Sequence, residues 1–418
     1  MDAEEEREKK RVKLADDPSK GAMVRRDLHD LPLDILLEIL SRLPITSLIH
    51  FKNTSHACYD LIADPRLPWM FHERISASNP CLILFNYSLS QQLHFVDIED
   101  CSRRVRKIEP PQHLKISNLV GSCNGLLCFS FDIISDSFVS YGLLIYNPFV
   151  GDAVRVPPAV QQFFYQFEVF GFGFHPRTGE FKVVRIVYYA KEIRVGDPLL
   201  DVEELDERFD TVEESMVQVF TVGTTEWRNK GAPPPQLAFD IRPTVALVEG
   251  SLHWVTAVGM GGVDSIFGII SFDLAAEVFE EIPHPPCQRL VSDRYNLSVL
   301  SGCLSAGIRS VQTGHFDIWV MKQYRVKESW VKQFSFDPYL LPGWPVNTSS
   351  SVSRLPRIIC ALKNGEILLQ YNRSSLVSYD PVENRFKTLQ ISGLRNQFQV
   401  LPFLPSLFSA KATMNLLF

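Results

Sequence analysis

The chain has 418 residues, 45% of them hydrophobic and 22% charged, with a formal net charge of −6 at pH 7. This composition is that of a globular protein long enough for two or three domains, and its acidic balance argues against a general nucleic-acid binder. No run of 18 apolar residues occurs, so no transmembrane helix is expected, and the charged N-terminus MDAEEEREKK lacks the apolar stretch of a secretory signal. Without a secretory signal the protein is expected in a reducing compartment, where its eight cysteines would be thiols.

Residues 1–27 are polar and rich in charge, which predicts a disordered tail. The tail contains KKRVKLADD, whose cations are Lys9, Lys10, Arg11 and Lys13. A short basic cluster of this kind is what a nuclear import receptor binds, and this one resembles a minor type of nuclear localisation signal, K-R-x-K-L followed by an acid. An ordinary solvated tail is the alternative. The expected location is the nucleus, the cytoplasm, or both.

The pattern between residues 28 and 70 predicts a small module of three short helices. Its first stretch, LPLDILLEILSRLP (31–44), is apolar over roughly 200° of a helical wheel, whereas a helix that covers its own domain needs only about 100°. A second helix is expected from Thr46 and a third over 55–62. Because helices in so short a stretch bury little surface, the surplus apolar arc predicts a partner. A helical hairpin that packs inside the protein is the alternative.

This module resembles an F-box, the short helical motif that docks on a Skp-type adaptor. The L-P pair, the ILLEIL helix, the Leu-Pro break and the D-P-x-L ending stand at the family spacing. Carried over by position, the resemblance implies adaptor contacts by Leu31, Pro32, Leu36, Ile39, Leu40, Leu43, Leu48 and Phe51. The chain departs from the plant pattern at Thr54, where a Val is usual, and at Cys58, where a Trp is usual. These departures predict a loss of packing of about 2–4 kcal/mol in the module.

Residues 80–412 form short apolar strands separated by turns, and one unit recurs. An apolar strand ends in an aromatic residue and a turn, and a large side chain then opens the next strand, as in YNPFVGDAV, FTVGTTEW, FDLAAEVF and YDPVENRF. Six copies are anchored at Phe95, Tyr146, Phe220, Phe272, Val320 and Tyr379. Four of the five intervals are 48–59 residues, near the roughly 50 residues of a kelch-type blade, and the longest, 74 residues, contains a polar insertion. The sequence therefore predicts a mainly β fold, a kelch-like propeller of six four-stranded blades, with seven as the alternative.

Further features of the propeller region are predicted from the same register. The first blade shows only three strands, and an unassigned strand near the C-terminus, QFQVLPFL, is expected to complete it and close the ring. Trp227, Phe279 and Phe386 are expected to be buried at matching positions of their blades. A polar insertion, Gly196–Ser215, holds nine carboxylates against the single cation Arg208. It is either a solvated loop or a contact for a basic partner segment.

The propeller region also resembles the plant F-box-associated domain, whose successive signatures match CNGLLCFS, FGFGFHPRTGEFKVVRI, VQVFTVGTTEWRN and VEGSLHWVT. The two resemblances imply the substrate-recognition subunit of a Skp-cullin-F-box ubiquitin ligase. Its expected partners are the Skp-type adaptor, cullin and RING subunits reached through that adaptor, and an unidentified protein substrate.

Signatures of catalysis are missing from the sequence. No H-E-x-x-H and no G-x-S-x-G occurs, and the Gly-rich GMGG lacks the strand-loop-helix context of a phosphate cradle. The protein is therefore expected not to be an enzyme and to need no cofactor, metal, nucleic acid or membrane. A propeller hydrolase or carbohydrate-binding protein with a vestigial F-box is the alternative.

Overall fold

A computed structural model of the protein describes residues 31–411, apart from 76–79, 87–92, 99–104, 109–113, 115, 135–138, 160–165, 191–211, 235–244, 259–265, 287–294, 311, 344–354, 373 and 392–396. The predicted disordered tail and the basic cluster Lys9–Lys13 lie outside the described residues. So does the predicted insertion up to residue 211, whereas its last four residues belong to a strand that begins at Val212.

The N-terminal module consists of α1 (Leu33–Leu40), α2 (Ile45–Lys52), α3 (His56–Ile62) and α4 (Leu67–Ile75). The prediction of three helices is therefore wrong, because a fourth follows the turn at Pro65. Pro68 falls in the first turn of α4, where a residue without an N–H is tolerated. Leu67 and Phe71, one turn apart, are buried in the core of the module. The fourth helix thus supplies apolar surface that three short helices lack.

Prolines set the starts of the first two helices. Pro32 and Pro44 precede α1 and α2 in an extended conformation, with ψ angles of 141° and 142°. The second helix therefore begins at Ile45, one residue earlier than predicted, and α1 ends at Leu40 rather than near the second proline. Ser55 caps α3, since its hydroxyl accepts a hydrogen bond from the backbone N–H of Cys58 at 3.2 Å.

Twenty-four strands of the described chain form six four-stranded antiparallel sheets. In chain order they are β1 Cys81–Asn86, β2 Leu93–Val96, β3 Val105–Ile108, β4 Ile116–Cys123, β5 Leu126–Ile134, β6 Val139–Asn147, β7 Asp152–Val156, β8 Gln166–His175, β9 Glu180–Ala190, β10 Val212–Thr221, β11 Arg228–Asn229, β12 Ala246–Val248, β13 Ser251–Val258, β14 Ile266–Asp273, β15 Val278–Ile282, β16 Tyr295–Leu300, β17 Cys303–Arg309, β18 Phe316–Met321, β19 Trp330–Phe336, β20 Arg357–Ala361, β21 Ile367–Tyr371, β22 Ser375–Asp380, β23 Arg385–Thr388 and β24 Phe398–Phe403. The described residues also include two 3-10 helices, Lys327–Ser329 and Pro338–Leu340.

The sheets are the blades of a six-bladed propeller, which confirms the predicted mainly β fold and blade number. Blade 1 has the strand order β24-β1-β2-β3, and blades 2 to 6 each use four consecutive strands, from β4–β7 to β20–β23. The strand β24 pairs with β1 from Cys81 opposite Phe403 to Asn86 opposite Phe398. The strand at the end of the chain therefore completes the first blade, as predicted, and the ring has no open junction between its first and last blades.

Apolar residues fill the interfaces between neighbouring blades. Six clusters of buried side chains are described, and each joins one blade to the next around the ring. The six predicted anchors all lie on the third strand of their blades: Phe95 on β2, Tyr146 on β6, Phe220 on β10, Phe272 on β14, Val320 on β18 and Tyr379 on β22. The predicted repeat register is therefore correct.

The aromatic partners of these anchors occupy matching positions but are only partly buried. Trp227, Phe279 and Phe386 lie 5.5, 4.9 and 4.9 Å, ring centre to ring centre, from the anchors of their own blades. The predicted matching positions are confirmed, whereas the predicted burial is only partial, because each residue lies at the outermost edge of its blade, where one side faces solvent. Trp227 also joins two blades, since its indole N–H donates to the carbonyl of Pro157 at 2.8 Å.

An ionic cluster joins blades 3 and 4. Glu277, in the turn between β14 and β15, accepts hydrogen bonds from Lys182 at 2.9 Å, from Lys230 at 2.5 Å and from Arg228. The Lys182 ammonium also donates to the carbonyl of Leu274 at 2.6 Å. Burial opposes the charge on Glu277, but the hydrogen bonds from the three cations outweigh it and lower its pKa to about 2.

A buried histidine joins blades 4 and 5. His253 on β13 is fully buried, with Nδ1 3.0 Å from the carbonyl of Ala246 and Nε2 2.8 Å from the hydroxyl of Tyr324. Since the carbonyl can only accept, Nδ1 carries the proton and Nε2 accepts from the tyrosine. Burial lowers the pKa of His253 to about 4, so the imidazole is neutral at pH 7.

Candidate functional site

The first helix of the N-terminal module divides its apolar side chains between the interior and solvent. Leu37 and Leu40 are 1% and 4% exposed and pack in the core of the module. Leu33, Ile35 and Ile39 are 45–48% exposed. Ile35 and Ile39 are one turn apart and present an apolar face to solvent, whereas Leu33 lies about 160° around the helix from Ile35 and is exposed in the first turn. We call this face, together with the exposed Leu31 and Pro32 that lead into it, the α1 face.

The structure divides the eight residues expected to contact an adaptor into three groups. Leu31, Pro32 and Ile39 are exposed on the α1 face. Leu43 and Phe51 are partly buried against the core of the module. Leu36, Leu40 and Leu48 are buried, with exposures of 8%, 4% and 0%. Leu40 and Leu48 belong to the module's own core, so a partner cannot contact them in this conformation. They support the exposed face of the helix from the interior.

Ion pairs hold the polar side of α1. Glu38 accepts hydrogen bonds from Arg42 at 2.6 Å and from Arg74 of α4, and these bonds lower the pKa of the Glu38 carboxyl. Asp34, one turn earlier, accepts from Arg66 at 2.8 Å. The polar side is thus committed to contacts within the module, whereas Ile35 and Ile39 of the neighbouring α1 face are about half exposed.

The two departures from the plant F-box pattern lie near the surface. Thr54 is exposed, and its hydroxyl donates to the carbonyl of Phe51 at 2.7 Å at the end of α2. Cys58 is only half-buried in α3. The predicted packing loss at Thr54 is therefore wrong, because the hydroxyl has a hydrogen-bond partner and is not buried in the core.

The described residues contain one grouping that superficially resembles a catalytic triad. The Ser335 hydroxyl donates to Asp317 at 2.6 Å and lies 3.5 Å from Nδ1 of His315. A nucleophilic serine needs the histidine as its base, with the carboxylate bound to the far side of the imidazole. Here the serine bonds directly to Asp317, which also accepts from Lys332 at 3.1 Å, so the order required for catalysis is not met.

Other chemistry-bearing residues serve the fold. His175, at the end of β8, is 1% exposed, and its Nδ1 accepts a hydrogen bond from the backbone N–H of Thr178 at 3.2 Å, so it stabilises the turn after β8. Burial raises the pKa of the Cys123 thiol to about 12 and also raises that of Cys128, so neither is a reactive thiolate. Within the described ranges no group of three or more metal-ligating side chains occurs. None of the described helices is long and apolar enough to cross a membrane.

A cleft of about 290 Å³ lies between blades 2 and 3 and is lined by Ile133, Tyr141, Phe170, Arg185, Trp227 and the prolines of 157–158. The Arg185 guanidinium is buried there. It donates to Glu168 at 2.6 and 3.1 Å and to Gln218 at 2.5 Å. Because its charge is paired, the cleft offers apolar contact rather than an anion-binding charge.

Fold and surface together define a closed six-bladed β-propeller that carries a small helical module with an exposed apolar face. A sequence model of the F-box domain matches residues 28–70, and a model of the F-box associated beta propeller domain matches residues 80–409. The chain therefore belongs to the family of F-box proteins with an F-box-associated propeller, as its sequence signatures predicted.

Similar proteins are found in Arabidopsis thaliana. The chain is 36% identical to F-box protein At3g07870 over 94% of both chains. It is 26% identical to F-box protein CPR1, with 86% of this chain and 84% of the relative covered. It is 22% identical to F-box/kelch-repeat protein At3g23880, with 88% of this chain and 93% of the relative covered.

Proposed function

We propose that the protein is the substrate-recognition subunit of a Skp-cullin-F-box ubiquitin ligase. In this proposal the F-box domain docks on a Skp-type adaptor through the α1 face, and the propeller binds the protein to be ubiquitinated. The observation that carries the proposal is the exposure of Ile35 and Ile39, one turn apart on the same side of an F-box helix, with Leu31 and Leu33 also exposed at the start of that helix. Contiguous exposed apolar side chains of this kind mark a protein interface rather than a solvated surface.

The proposed mechanism requires no catalytic group on this chain. The adaptor connects the F-box to cullin and RING subunits, which recruit the ubiquitin-conjugating enzyme. The propeller holds the substrate near that enzyme, and a transfer between separate molecules becomes a transfer within one assembly. Proximity of this kind contributes several kcal/mol, up to roughly 7–11 kcal/mol when the reacting groups are well oriented. A propeller with a closed ring is a suitable holder, because its strands are fixed and its connections are free to vary.

Affinity purification from cells treated with a proteasome inhibitor tests the proposal. Three tagged chains are compared: the wild type, the double variant Ile35→Asp Ile39→Asp, and the control Val382→Asp, whose side chain is 91% exposed in a turn of blade 6. The wild type and the control are expected to recover the adaptor, cullin and a ubiquitinated protein, and the double variant to lose the adaptor and cullin. Failure of the wild type to recover an adaptor would contradict the proposal.

A further inference from the structure

The chain continues past the closing strand β24 into a buried segment without a sheet partner. Residues 404–411, the 404–411 segment, run along the end of the propeller that faces the helical module. Within the segment Ser406 and Ala410 are fully buried, and Leu407 and Phe408 are 7% and 8% exposed. Since the ring is already closed at Phe403, burial of the segment serves something other than ring closure.

Blade 2 holds the backbone of this segment with two side chains. Asn147, itself fully buried, donates through Nδ2 to the carbonyls of Ser406 at 3.0 Å and Phe408 at 2.7 Å. Asp152 accepts from the backbone N–H groups of Ala410 at 3.3 Å and Lys411 at 3.2 Å. The backbone polar groups of an irregular buried segment thereby find partners, as they must.

The turn that precedes β5 is shaped to receive the segment. The Ser406 hydroxyl donates to the carbonyl of Asn124 at 2.7 Å. Gly125, with a φ angle of +76°, lies so close that a Cβ there would meet the Ser406 hydroxyl oxygen at 2.1 Å. Only glycine fits both the conformation and the contact.

Successive side chains of the segment point to two different domains. Leu407 is part of the buried core of the helical module, together with Leu37, Leu40 and Leu48. Phe408 is part of the buried cluster between blades 2 and 3. The Phe408 ring also meets Trp69 of α4 edge-on, with the ring centres 4.6 Å apart.

The blades themselves contact the helical module less closely than the 404–411 segment does. Trp69 lies 5.9 Å, ring centre to ring centre, from Phe174 at the end of β8. Phe149, in the turn after β6, packs against the module core but is only partly buried. Among the described residues, Leu407 is therefore the buried residue from outside the four helices that belongs to the module core.

We propose that the 404–411 segment fixes the orientation of the F-box module on the propeller, with Leu407 and Phe408 as the positioning residues. The consequence for ubiquitin transfer rests on the proposed function: a fixed module sets one distance between the bound substrate and the adaptor. The orientation itself is a property of the free chain. The orientation is tested without adaptor or substrate. A failure of this proposal can therefore be distinguished from a failure of the proposed ligase function.

A matched pair of truncations tests the role of the segment. Removal of everything after Phe403 deletes the segment and leaves β24 paired with β1, whereas removal of everything after Lys411 retains it. We expect the Phe403 truncation to increase the maximum dimension in small-angle X-ray scattering. Proteolytic cleavage between residues 75 and 80 is expected to be at least tenfold faster than in the Lys411 truncation. The propeller is expected to stay folded, with a lower melting temperature because Phe408 and Ala410 leave the cluster between blades 2 and 3.

The full-length variant Leu407→Ala Phe408→Ala gives a second measurement that needs no truncation, and it is expected to show the same expansion and faster cleavage. Identical scattering and cleavage in the two truncations and in this variant would overturn the proposal. A propeller melt that collapses in both the Phe403 truncation and the double variant would also overturn it, because the segment would then belong to the propeller's own fold.

Discussion

Replacing Leu40 by alanine tests the finding that α1 builds the core of its own module as well as an exposed face. Leu40 is 4% exposed and lies among Leu37, Leu48 and Phe71. Truncation of a buried leucine costs about 2–5 kcal/mol. Folded domains hold only about 0.05–0.15 kcal/mol per residue, so a module of this size has a few kcal/mol to lose. We therefore expect Leu40→Ala to open the helical module and to leave the propeller folded.

Native-state hydrogen exchange measures this effect by region. In Leu40→Ala the amides of α1 and α2 are expected to lose at least tenfold in protection, while the amides of β1 and β24 keep theirs. The matched control is Ile39→Ala, one residue earlier on the same helix but 47% exposed, which is expected to change stability by less than about 0.5 kcal/mol. Equal protection in the two variants would refute the division of α1 into a buried and an exposed side.

Further predictions concern the blade junctions and the tail. The pKa of His253 lies near 4 in the folded protein and near 6.5 in the unfolded chain, so its contribution to stability is complete above pH 6.5 and is lost as the pH falls toward 4. The melting temperature of the wild type should therefore fall more steeply between pH 7 and pH 5 than that of His253→Gln, and parallel curves would contradict this. Glu277→Gln should cost about 2–4 kcal/mol in urea unfolding at pH 7, because three cations lose the negative charge that pairs them, and a loss below about 0.5 kcal/mol would show that the cluster is not stabilising. In the tail, we propose that the basic cluster directs nuclear import, so changing Lys10, Arg11 and Lys13 to Ala should deplete a tagged protein from the nucleus, and an unchanged distribution would remove this claim.

The propeller was predictable because the same pattern of packed side chains recurs in every blade. An anchor on the third strand recurs in each unit, aromatic in five blades and Val320 in the other, so the spacing of Phe220, Phe272 and Val320 reveals the blades without knowledge of their contacts. The closing strand was predictable for a related reason. A three-stranded first blade leaves an open edge, and the unassigned strand that ends at Phe403 was available to cover it.

The 404–411 segment and its partners could not be predicted from local pattern. Asn147 bonds the carbonyl of Ser406 across 259 positions of the chain, and nothing near Asn147 in sequence distinguishes it from an ordinary Asn-Pro turn. The fourth helix was missed for a different reason. Pro65 was taken as the end of the helical region, whereas it only separates α3 from α4.

The adaptor-contact residues were predictable as a set but not by exposure. A helical wheel shows that α1 is apolar over most of its circumference, yet it cannot tell which part of that surface faces α2 and α4. Leu36 and Ile39 are equivalent in the sequence argument and differ in the structure, at 8% and 47% exposed. Tertiary packing decides this division, because the module's own core takes the leucines that it needs.

The central claim is that the α1 face binds a Skp-type adaptor, and isothermal titration calorimetry with a purified adaptor tests it most directly. Truncating a well-buried interface anchor commonly costs 2 kcal/mol or more, so Ile35→Asp Ile39→Asp is expected to weaken binding at least about 100-fold. Its thermal melt and the binding by the control Val382→Asp are expected to match those of the wild type. Tight binding by the wild type that is undiminished in the double variant would contradict the account.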